Sequence, residues 1–281
     1  MSSEQQRIYQ DYTLALGDIG GAGERKGLFG ALQFLSKLCI HPMLVDKGSC
    51  DISRLTLEDS PKLVALRDIL LGDCQVGTPL EALDKDPHRV LIFAQHKGTL
   101  DIIQSVLLTP HLPLVPILRI DGGTEAMERF QIATNFNSDP TIRILLLTTT
   151  VGGLGLNLTG ADTVIFFEHD WNPMKDLQAM DRVHRLGQKR TVNVYRLIME
   201  DTIEEKILSS QKFKLHVANS VINQQNVAIS SMAGADGEEF DVAELFGRSR
   251  TSDDQADKKD SGKNGKITLK ELLEQLSEEP E

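Results

Sequence analysis

The fold is constrained most by a regular alternation of apolar, β-branched runs with helical patterns between residues 89 and 223. Two of the runs, residues 144–147 (Ile-Leu-Leu-Leu) and 164–167 (Val-Ile-Phe-Phe), are apolar at every position, which is typical of parallel strands covered on both faces. The alternation predicts an α/β domain with a doubly wound parallel sheet and helices on both of its faces. The predicted strands are Arg89–Gln95, Leu114–Ile120, Ile142–Thr149, Thr163–Glu168 and Val192–Ile198, and the predicted helices are 98–108, 124–136, 173–187 and 202–223.

The segments around this domain differ in composition. Upstream, helices are predicted at 4–15, 27–39 and 61–71, the last beginning after Ser60-Pro61. Downstream of about residue 225 the apolar content falls, which favours a disordered acidic tail. Residues 260–271 of that tail resemble an EF-hand loop, but Gly262 takes a ligand position, so a solvated tail is the preferred interpretation. The predicted divisions are 1–80, 81–200, 201–224 and 225–281.

The net charge of −11 does not argue against a nucleic-acid partner, because the charge is unevenly distributed. Residues 225–281 hold 14 acidic and seven basic side chains, which leaves a net of only −4 for residues 1–224. A local basic strip binds phosphate even on a protein of acidic average. Such a strip, with Asp181 as its single acid, contains Arg182, His184, Arg185, Lys189, Arg190 and Arg196.

Small, polar or cationic residues follow the first three predicted strands. Because the carboxyl ends of parallel strands meet at one edge of a sheet, these groups are expected to form one surface. Threonine hydroxyls, glycine backbone N–H groups and a lysine suit phosphate oxygens. Each group taken alone also fits a helix cap or a tight turn. The groups are Gln95-His96-Lys97, Asp121-Gly122-Gly123-Thr124, and Thr148-Thr149 followed by Gly152, Gly153 and Gly155.

Arg182 and Arg185 lie three residues apart, so on the predicted helix 173–187 they would project from one face. Paired guanidinium groups suit a triphosphate. Yet the sequence contains no Gly-x-x-x-x-Gly-Lys-Ser/Thr loop to hold one. The alternative interpretation of the two arginines is that they belong to a surface helix with local charge pairs. The preceding loop contains Trp171, the only tryptophan, which fits either a core position or a ring exposed toward a partner.

The chain resembles, in five runs, the second RecA-like lobe of the SWI/SNF-type ATPases in helicase superfamily two. The resemblance extends in order over about residues 30–223, and residues 31–42 resemble the helical insertion that precedes this lobe. Within the family, Glu168–Pro173 and residues 211–223 resemble the branch that removes TATA-binding protein from promoter DNA. The five runs are Val90–Gln95, Ile120–Thr124, Gly152–Asn157, Asp170–Pro173 and Gln178–Gln188.

The resemblance implies the C-terminal lobe of an ATP-dependent DNA translocase, with helix 202–223 as a brace toward the first lobe. ATP and Mg²⁺ would be bound mainly by that first lobe, so this chain alone is expected to be inactive. The implied partners are double-stranded DNA, the first lobe in cis and TATA-binding protein, and the implied location is the nucleus. Arg182 and Arg185 would be catalytic, Gln178 and Gly153 would also contact the nucleotide, and Gln95, Lys97, Gly122, Thr148, Thr149, Gly152 and Trp171 would contact DNA.

Two other functions stay open at this point. One is a non-catalytic module that binds DNA or a regulator, and the other is the second lobe of a nucleosome remodeller. A small-molecule α/β enzyme is disfavoured because no nucleophile–base set stands out in the sequence. No metal site is predicted.

Overall fold

A five-stranded parallel sheet forms the centre of the protein and confirms the predicted α/β fold. The computed structural model describes residues 1–17, 25–45, 54–78, 88–152, 155–185 and 187–224. The strands lie in the order β2-β3-β1-β4-β5, and every neighbouring pair is parallel. The chain therefore crosses β3 to reach β2 from β1, and crosses β1 to reach β4 from β3. The strands are β1 (Val90–Ala94), β2 (Ile117–Ile120), β3 (Ile144–Thr148), β4 (Thr163–Phe166) and β5 (Asn193–Arg196).

The three central strands β1, β3 and β4 are buried along their whole length, as expected for a sheet covered on both faces. Alternate residues divide between two apolar cores because successive side chains of a strand point to opposite faces. On β1, Val90 and Ile92 belong to one core, whereas Leu91 and Phe93 belong to the other. Phe93 stacks on Phe166 of β4 with ring centroids 5.3 Å apart.

Helices cover both faces of the sheet. The first core is closed by α3 (Pro61–Asp68), which continues as a π-helical segment over Ile69–Asp73, and by α4 (Lys97–Ile102), which continues through a π-helical segment over Ile103–Leu108 into α5 (Thr109–His111). The second core is closed by α6 (Ala126–Ser138), α7 (Thr149–Gly152) and α8 (Pro173–Met180). The predicted start at Ser60-Pro61 is confirmed, since the Ser60 hydroxyl accepts the N–H of Leu63.

A third apolar cluster joins the two ends of the described chain. It contains residues of α1 (Ser3–Gly17), α2 (Arg25–Ile40) and the first turns of α9 (Ile203–Gln224). The Tyr9 hydroxyl accepts the N–H of Ile203 at 2.9 Å, and Gln5 donates to the carbonyl of Leu38 at 2.8 Å. Buried Lys62 and Glu204 form an ion pair that ties α3 to α9. The helical segments upstream and downstream of the sheet are thus packed against each other.

Two element boundaries, the start of β2 and the end of α8, differ from the sequence prediction by more than two residues. The second strand begins at Ile117 rather than Leu114, because Pro116 has no N–H for the sheet and Leu114 is 93% exposed. The helix predicted over 173–187 ends at Met180. The predicted tail, 225–281, lies outside the described residues. Along the described chain, no helix combines the length and apolar character needed to cross a bilayer.

Candidate functional site

The carboxyl ends of all five strands lie at one edge of the sheet, here termed the carboxyl edge. The last residues of β1 and β3, Ala94 and Thr148, are paired in register. The residues that follow β2, β3, β1 and β4 are therefore neighbours in that order along the edge. The predicted grouping of the strand-end residues on one surface agrees with this topology.

Lys97 and Gly122, both predicted to contact DNA, lie at one exposed corner of the carboxyl edge. The Lys97 side chain is 65% exposed, and its Nζ lies 3.8 Å from Oδ2 of Asp121. A Cβ at Gly123 would lie 3.2 Å from Oδ1 of Asp121 and 3.7 Å from Lys97 Nζ, so glycine permits this close packing. Gly122 is open to solvent. The corner presents a cation and a bare backbone to the outside.

Asp121 anchors that corner as a buried carboxylate. Burial acts to raise the pKa of Asp121, but the N–H of Gly123, the guanidinium of Arg119 and the charge of Lys97 together hold it below its ordinary value. The Gly123 N–H donates to Oδ1 at 2.8 Å, and Arg119 Nε donates to Oδ2 at 3.0 Å. Arg119 also pairs with Asp101 at 2.7 Å. Since Arg119 is engaged by two carboxylates, Lys97 is the cation of this corner that extends outward.

Thr148 and Thr149 occupy the junction of β3 and α7. Both side chains are largely buried, with 6% and 3% of the residue exposed. The helix α7 ends at Gly152, and Gly153, a predicted nucleotide contact, lies outside the described residues. Only a small fraction of Thr148 and of Thr149 is thus exposed for their predicted contacts with DNA.

Gln95 and Glu168 link the ends of β1 and β4. The buried Glu168 carboxylate accepts the N–H groups of Gln95 at 2.8 Å and His96 at 3.2 Å. The Gln95 side-chain amide donates to the carbonyl of His169. For its predicted contact with DNA, Gln95 keeps its Oε1 oxygen and one N–H of the amide, because the other N–H is engaged within the protein.

Trp171 lies half-buried against the third apolar cluster, formed by α1, α2 and α9. Its backbone carbonyl accepts Lys214 Nζ of α9 at 3.0 Å. The sequence allowed either a core position or a ring exposed toward a partner. In the structure, most of the surface of Trp171 is packed against the protein. Any DNA contact of Trp171 would have to use the exposed remainder.

Arg182 and Arg185 lie beyond the end of α8, in a series of turns over residues 181–185, here termed the arginine segment. The prediction that one continuous helix aligns them is wrong. The carbonyl of Arg182 accepts the N–H of Leu158 at 3.1 Å, and the buried Val183 enters the second core. These tertiary contacts replace the helical hydrogen bonds that would continue α8.

The two arginines consequently differ in environment. Arg182 is 7% exposed, whereas Arg185 is exposed and forms no ion pair with a described carboxylate. Gln178 lies exposed on α8. The rest of the predicted basic strip is divided: Arg190 pairs with Asp162 at 3.0 Å and Arg196 with Asp176 at 3.5 Å, while His184 and Lys189 are exposed.

Three amides that the sequence analysis did not single out hold this region together. Gln188 donates to the carbonyl of Ala161 at 2.6 Å, and Asn137 donates to the carbonyl of Asn157 at 2.8 Å. Gln211 of α9 donates to Asp176 of α8 at 2.9 Å. Asp176 could have been identified from the sequence, because it is an acidic residue on the buried face of α8 together with Pro173 and Ala179. No local sequence pattern identifies Gln188, Asn137 or Gln211.

Comparison with known proteins agrees with this geometry. Residues 62–187, which include β1 to β4, α8 and the arginine segment, match the family described as helicase conserved C-terminal domain. The ATPase core of Sulfolobus solfataricus SWI2/SNF2, solved in complex with double-stranded DNA, superposes with a TM-score of 0.61 at 28% identity. That likeness covers 80% of this chain and 44% of the solved chain.

Two curated relatives are more similar in sequence. The chain is 49% identical over 269 residues to TATA-binding protein-associated factor 172 of Homo sapiens. The aligned region covers 89% of this chain and 14% of the relative. It is 53% identical over 227 residues to TATA-binding protein-associated factor BTAF1 of Arabidopsis thaliana, which covers 73% of this chain and 11% of the relative. The chain therefore spans only a small part of the length of these relatives.

Proposed function

Since the chain belongs to the SWI/SNF-type ATPases of helicase superfamily two as a second RecA-like lobe, we propose that it is the C-terminal lobe of an ATP-dependent translocase on double-stranded DNA. The observation that carries the proposal is the hydrogen bond between Leu158 N–H and the Arg182 carbonyl. It attaches the segment between α7 and β4 to the arginine segment. Since α7 begins at the carboxyl edge, we propose that the surface suited to DNA and the cation suited to a nucleotide move together as parts of one lobe.

The exposed side chains of the arginine segment and α8 fit the phosphates of ATP. Arg185 offers a permanent, forked cation, and Gln178 offers an amide that both donates and accepts. ATP bound on a first lobe supplies the phosphoryl group that is transferred to water. Arg185 then stabilises the negative charge that develops on the phosphoryl oxygens, and Arg182, at the base of the segment, supports the same site. The predicted contact at Gly153 is retained as part of this proposal.

Magnesium is assigned to the first lobe. Among the described residues of this chain, no three His, Cys, Asp or Glu side chains lie together in a way that would hold a metal ion. Two buried carboxylates are engaged within the protein, Asp121 by Arg119, and Asp176 by Gln211 and Arg196. In this proposal the chain contributes cations to the nucleotide, and the magnesium ion is bound mainly by the first lobe.

The carboxyl edge is proposed to follow the DNA backbone. Lys97 and the bare backbone at Gly122 are its accessible phosphate contacts. Gln95, Thr148, Thr149, Gly152 and Trp171 are proposed to shape that edge and to touch DNA only through their exposed atoms. The names of the curated relatives support TATA-binding protein as the DNA-bound protein that is removed, and a nuclear location.

The test is a pair of substitutions in a protein that joins this chain to a first RecA-like lobe. Arg185→Ala and Arg182→Ala are each expected to reduce DNA-stimulated ATP hydrolysis by about 10³-fold or more. DNA binding, measured without ATP, is expected to stay within about twofold because neither residue belongs to the proposed DNA contacts. Arg7→Ala, which removes an exposed arginine of α1, is the matched control. Unchanged hydrolysis in both variants overturns the arginine assignment.

A further inference from the structure

Gln211 lies at the centre of the contact between α9 and α8. It is 1% exposed, and its side chain forms three hydrogen bonds with three different elements. Nε2 donates to Oδ2 of Asp176 at 2.9 Å and also to the backbone carbonyl of Asp170, while Oε1 accepts Nη1 of Arg196 at 2.9 Å. Both amide protons and the carbonyl oxygen of this glutamine are therefore engaged.

Asp176 is the reason why this contact matters energetically. It is fully buried, its Oδ1 has no hydrogen-bond partner among the described residues, and all of its polar neighbours converge on Oδ2. Beyond Gln211, these are Arg196 Nη2 at 3.5 Å and His169 Nδ1 at 3.8 Å. Neither distance is that of a strong hydrogen bond. Among the described residues, Gln211 therefore makes the one short hydrogen bond to this carboxylate, and a buried carboxylate is costly to leave unpaired.

The same contact fixes the residues that flank Asp176. Gln211 also holds the loop before α8, because it donates to the carbonyl of Asp170. One turn further along α9, Lys214 donates to the carbonyl of Trp171 in the same loop at 3.0 Å. Gln178 lies two residues after Asp176 on α8, and the arginine segment follows directly from the end of that helix. The orientation of α8 therefore sets where Gln178, Arg182 and Arg185 are presented.

We propose that Gln211 is a positioning residue, through which the docking of α9 fixes α8 and hence the arginine segment. The catalytic consequence of this proposal rests on the function proposed above, whereas the docking itself does not. Loss of Gln211 is expected to loosen α8 and its contacts with the second core, while the central strands β1 and β3 keep their packing.

The first test measures amide hydrogen exchange in the 281-residue chain. Gln211→Ala is expected to speed exchange of the α8 amides by about tenfold or more, since a hydrogen bond to a buried charge is lost. Exchange in β1 and β3 should stay unchanged. Lys212→Ala, the exposed neighbour on the same helix, is the control. Unaltered exchange in α8, or an equal increase in every segment, overturns the positioning role.

The second test uses Gln211→Glu, which keeps the shape of the side chain and places a second carboxyl beside Asp176. The other charged or titratable groups that face this position are Arg196, His169, Asp170 and Lys214. Two carboxylates at this position repel each other, and the repulsion is relieved when the pair takes up one proton, which a lower pH favours. A protonated glutamic acid has one O–H, so it replaces at most one of the two hydrogen bonds that Gln211 Nε2 donates.

The Tm of this variant is expected to lie below that of wild type at both pH 5 and pH 8, with a deficit that is larger at pH 8 by about 5 °C. A deficit that is the same at both pH values overturns the proposed contact with Asp176. This test also applies if Gln211→Ala fails to fold.

The third test places Gln211→Ala in a protein that joins this chain to a first lobe. The value of kcat for DNA-stimulated ATP hydrolysis is expected to fall about tenfold, with KM for ATP within about twofold, because a positioning defect affects the transition state. Arg182→Ala and Arg185→Ala serve as references. If those two variants retain activity while the exchange result holds, the proposed function fails and the docking role stands. If they lose activity and Gln211→Ala does not, the positioning role fails instead.

Discussion

At the scale of single residues, Asp121 shows how the carboxyl edge keeps a cation available. Its carboxylate engages the Gly123 N–H and Arg119 at short range, whereas Lys97 is 3.8 Å away. A lysine at that distance in a mostly exposed position retains most of its freedom to reach a phosphate. The acid therefore organises the corner without neutralising it.

The lowered pKa of Asp121 gives a stability prediction with a definite sign. A carboxyl whose pKa is lower in the folded state stabilises the fold at pH values above its ordinary pKa of 3.8 and loses that contribution as the pH falls below it. Asp121→Asn is therefore expected to lower the unfolding free energy by about 1 kcal/mol at pH 7. Urea denaturation at pH 7, 5 and 3.5 should show a deficit that is constant down to pH 5 and shrinks at pH 3.5.

Asp11→Asn is the control for this experiment, since Asp11 is exposed on α1 and forms no ion pair with a described residue. It should leave the unfolding free energy within about 0.5 kcal/mol of wild type at every pH. A deficit in Asp121→Asn that grows on acidification would contradict the assigned sign.

Gly160 is a second position where a single residue controls local packing. A Cβ there would lie 2.8 Å from Nη1 of Arg89, 2.9 Å from Oδ1 of Asn137 and 3.1 Å from its Cα. Gly160→Ala is expected to destabilise the fold by about 1–3 kcal/mol, because the backbone of α6 cannot move aside cheaply. Thermal denaturation should show a lowered Tm. Gly98→Ala, whose Cβ meets nothing within 4 Å, should leave Tm unchanged or raise it.

At the scale of elements, the sheet could be predicted from sequence because its strands are apolar at nearly every position. The runs at 144–147 and 164–167 needed no knowledge of their neighbours to be assigned to buried strands. The end of α8 could not be predicted in this way. Its sequence continues a helical pattern to residue 187, but the helix ends at Met180, the chain continues in turns, and the carbonyl of Arg182 accepts the N–H of Leu158 from a distant loop.

The attachment of α3 to α9 depends on the buried pair of Lys62 and Glu204. Lys62 also lies 5.2 Å from the centroid of the Phe167 ring, and Glu204 accepts the N–H of Met199 at 2.8 Å. Lys62→Met is expected to lower the unfolding free energy by about 3–5 kcal/mol, because it leaves a carboxylate buried without its counter-ion. Equilibrium denaturation in urea measures this loss.

The double variant Lys62→Met, Glu204→Gln separates the charge from the contact. With both charges removed and the hydrogen bond to Met199 retained, most of the lost stability should return. If the loss of stability in the double variant equals the sum of the losses in Lys62→Met and Glu204→Gln, the pair is not coupled across α3 and α9.

At the scale of the whole molecule, positive charge is distributed between two roles. Arg190 pairs with Asp162 next to the start of β4, and Arg196 is engaged by Asp176 and Gln211. Lys97, Arg185 and Lys189 are exposed. In the sequence, all of these except Lys97 belong to the same basic strip, and Lys97 belongs to the strand-end group that follows the first strand. Asp176 lies 20 residues from Arg196 in sequence, and Asp162 lies 28 residues from Arg190. Only the fold therefore distinguishes the cations that are paired within the protein from those that are available to a ligand.

The available cations lead to a prediction for the 281-residue chain without a first lobe. If the carboxyl edge tracks phosphates, affinity for duplex DNA falls as salt rises, with a slope of log K against log salt of about −0.9 per phosphate contact. Lys97→Ala should make that slope less negative by about one and weaken binding to all duplex sequences alike. Fluorescence anisotropy with a labelled duplex between about 50 and 200 mM salt measures both quantities.

Arg67→Ala is the matched control, because Arg67 lies on α3 and pairs with its neighbour Asp68. Equal slopes for wild type and Lys97→Ala would remove Lys97 from the DNA contacts, and binding that does not respond to salt would remove the carboxyl edge as a phosphate-binding surface.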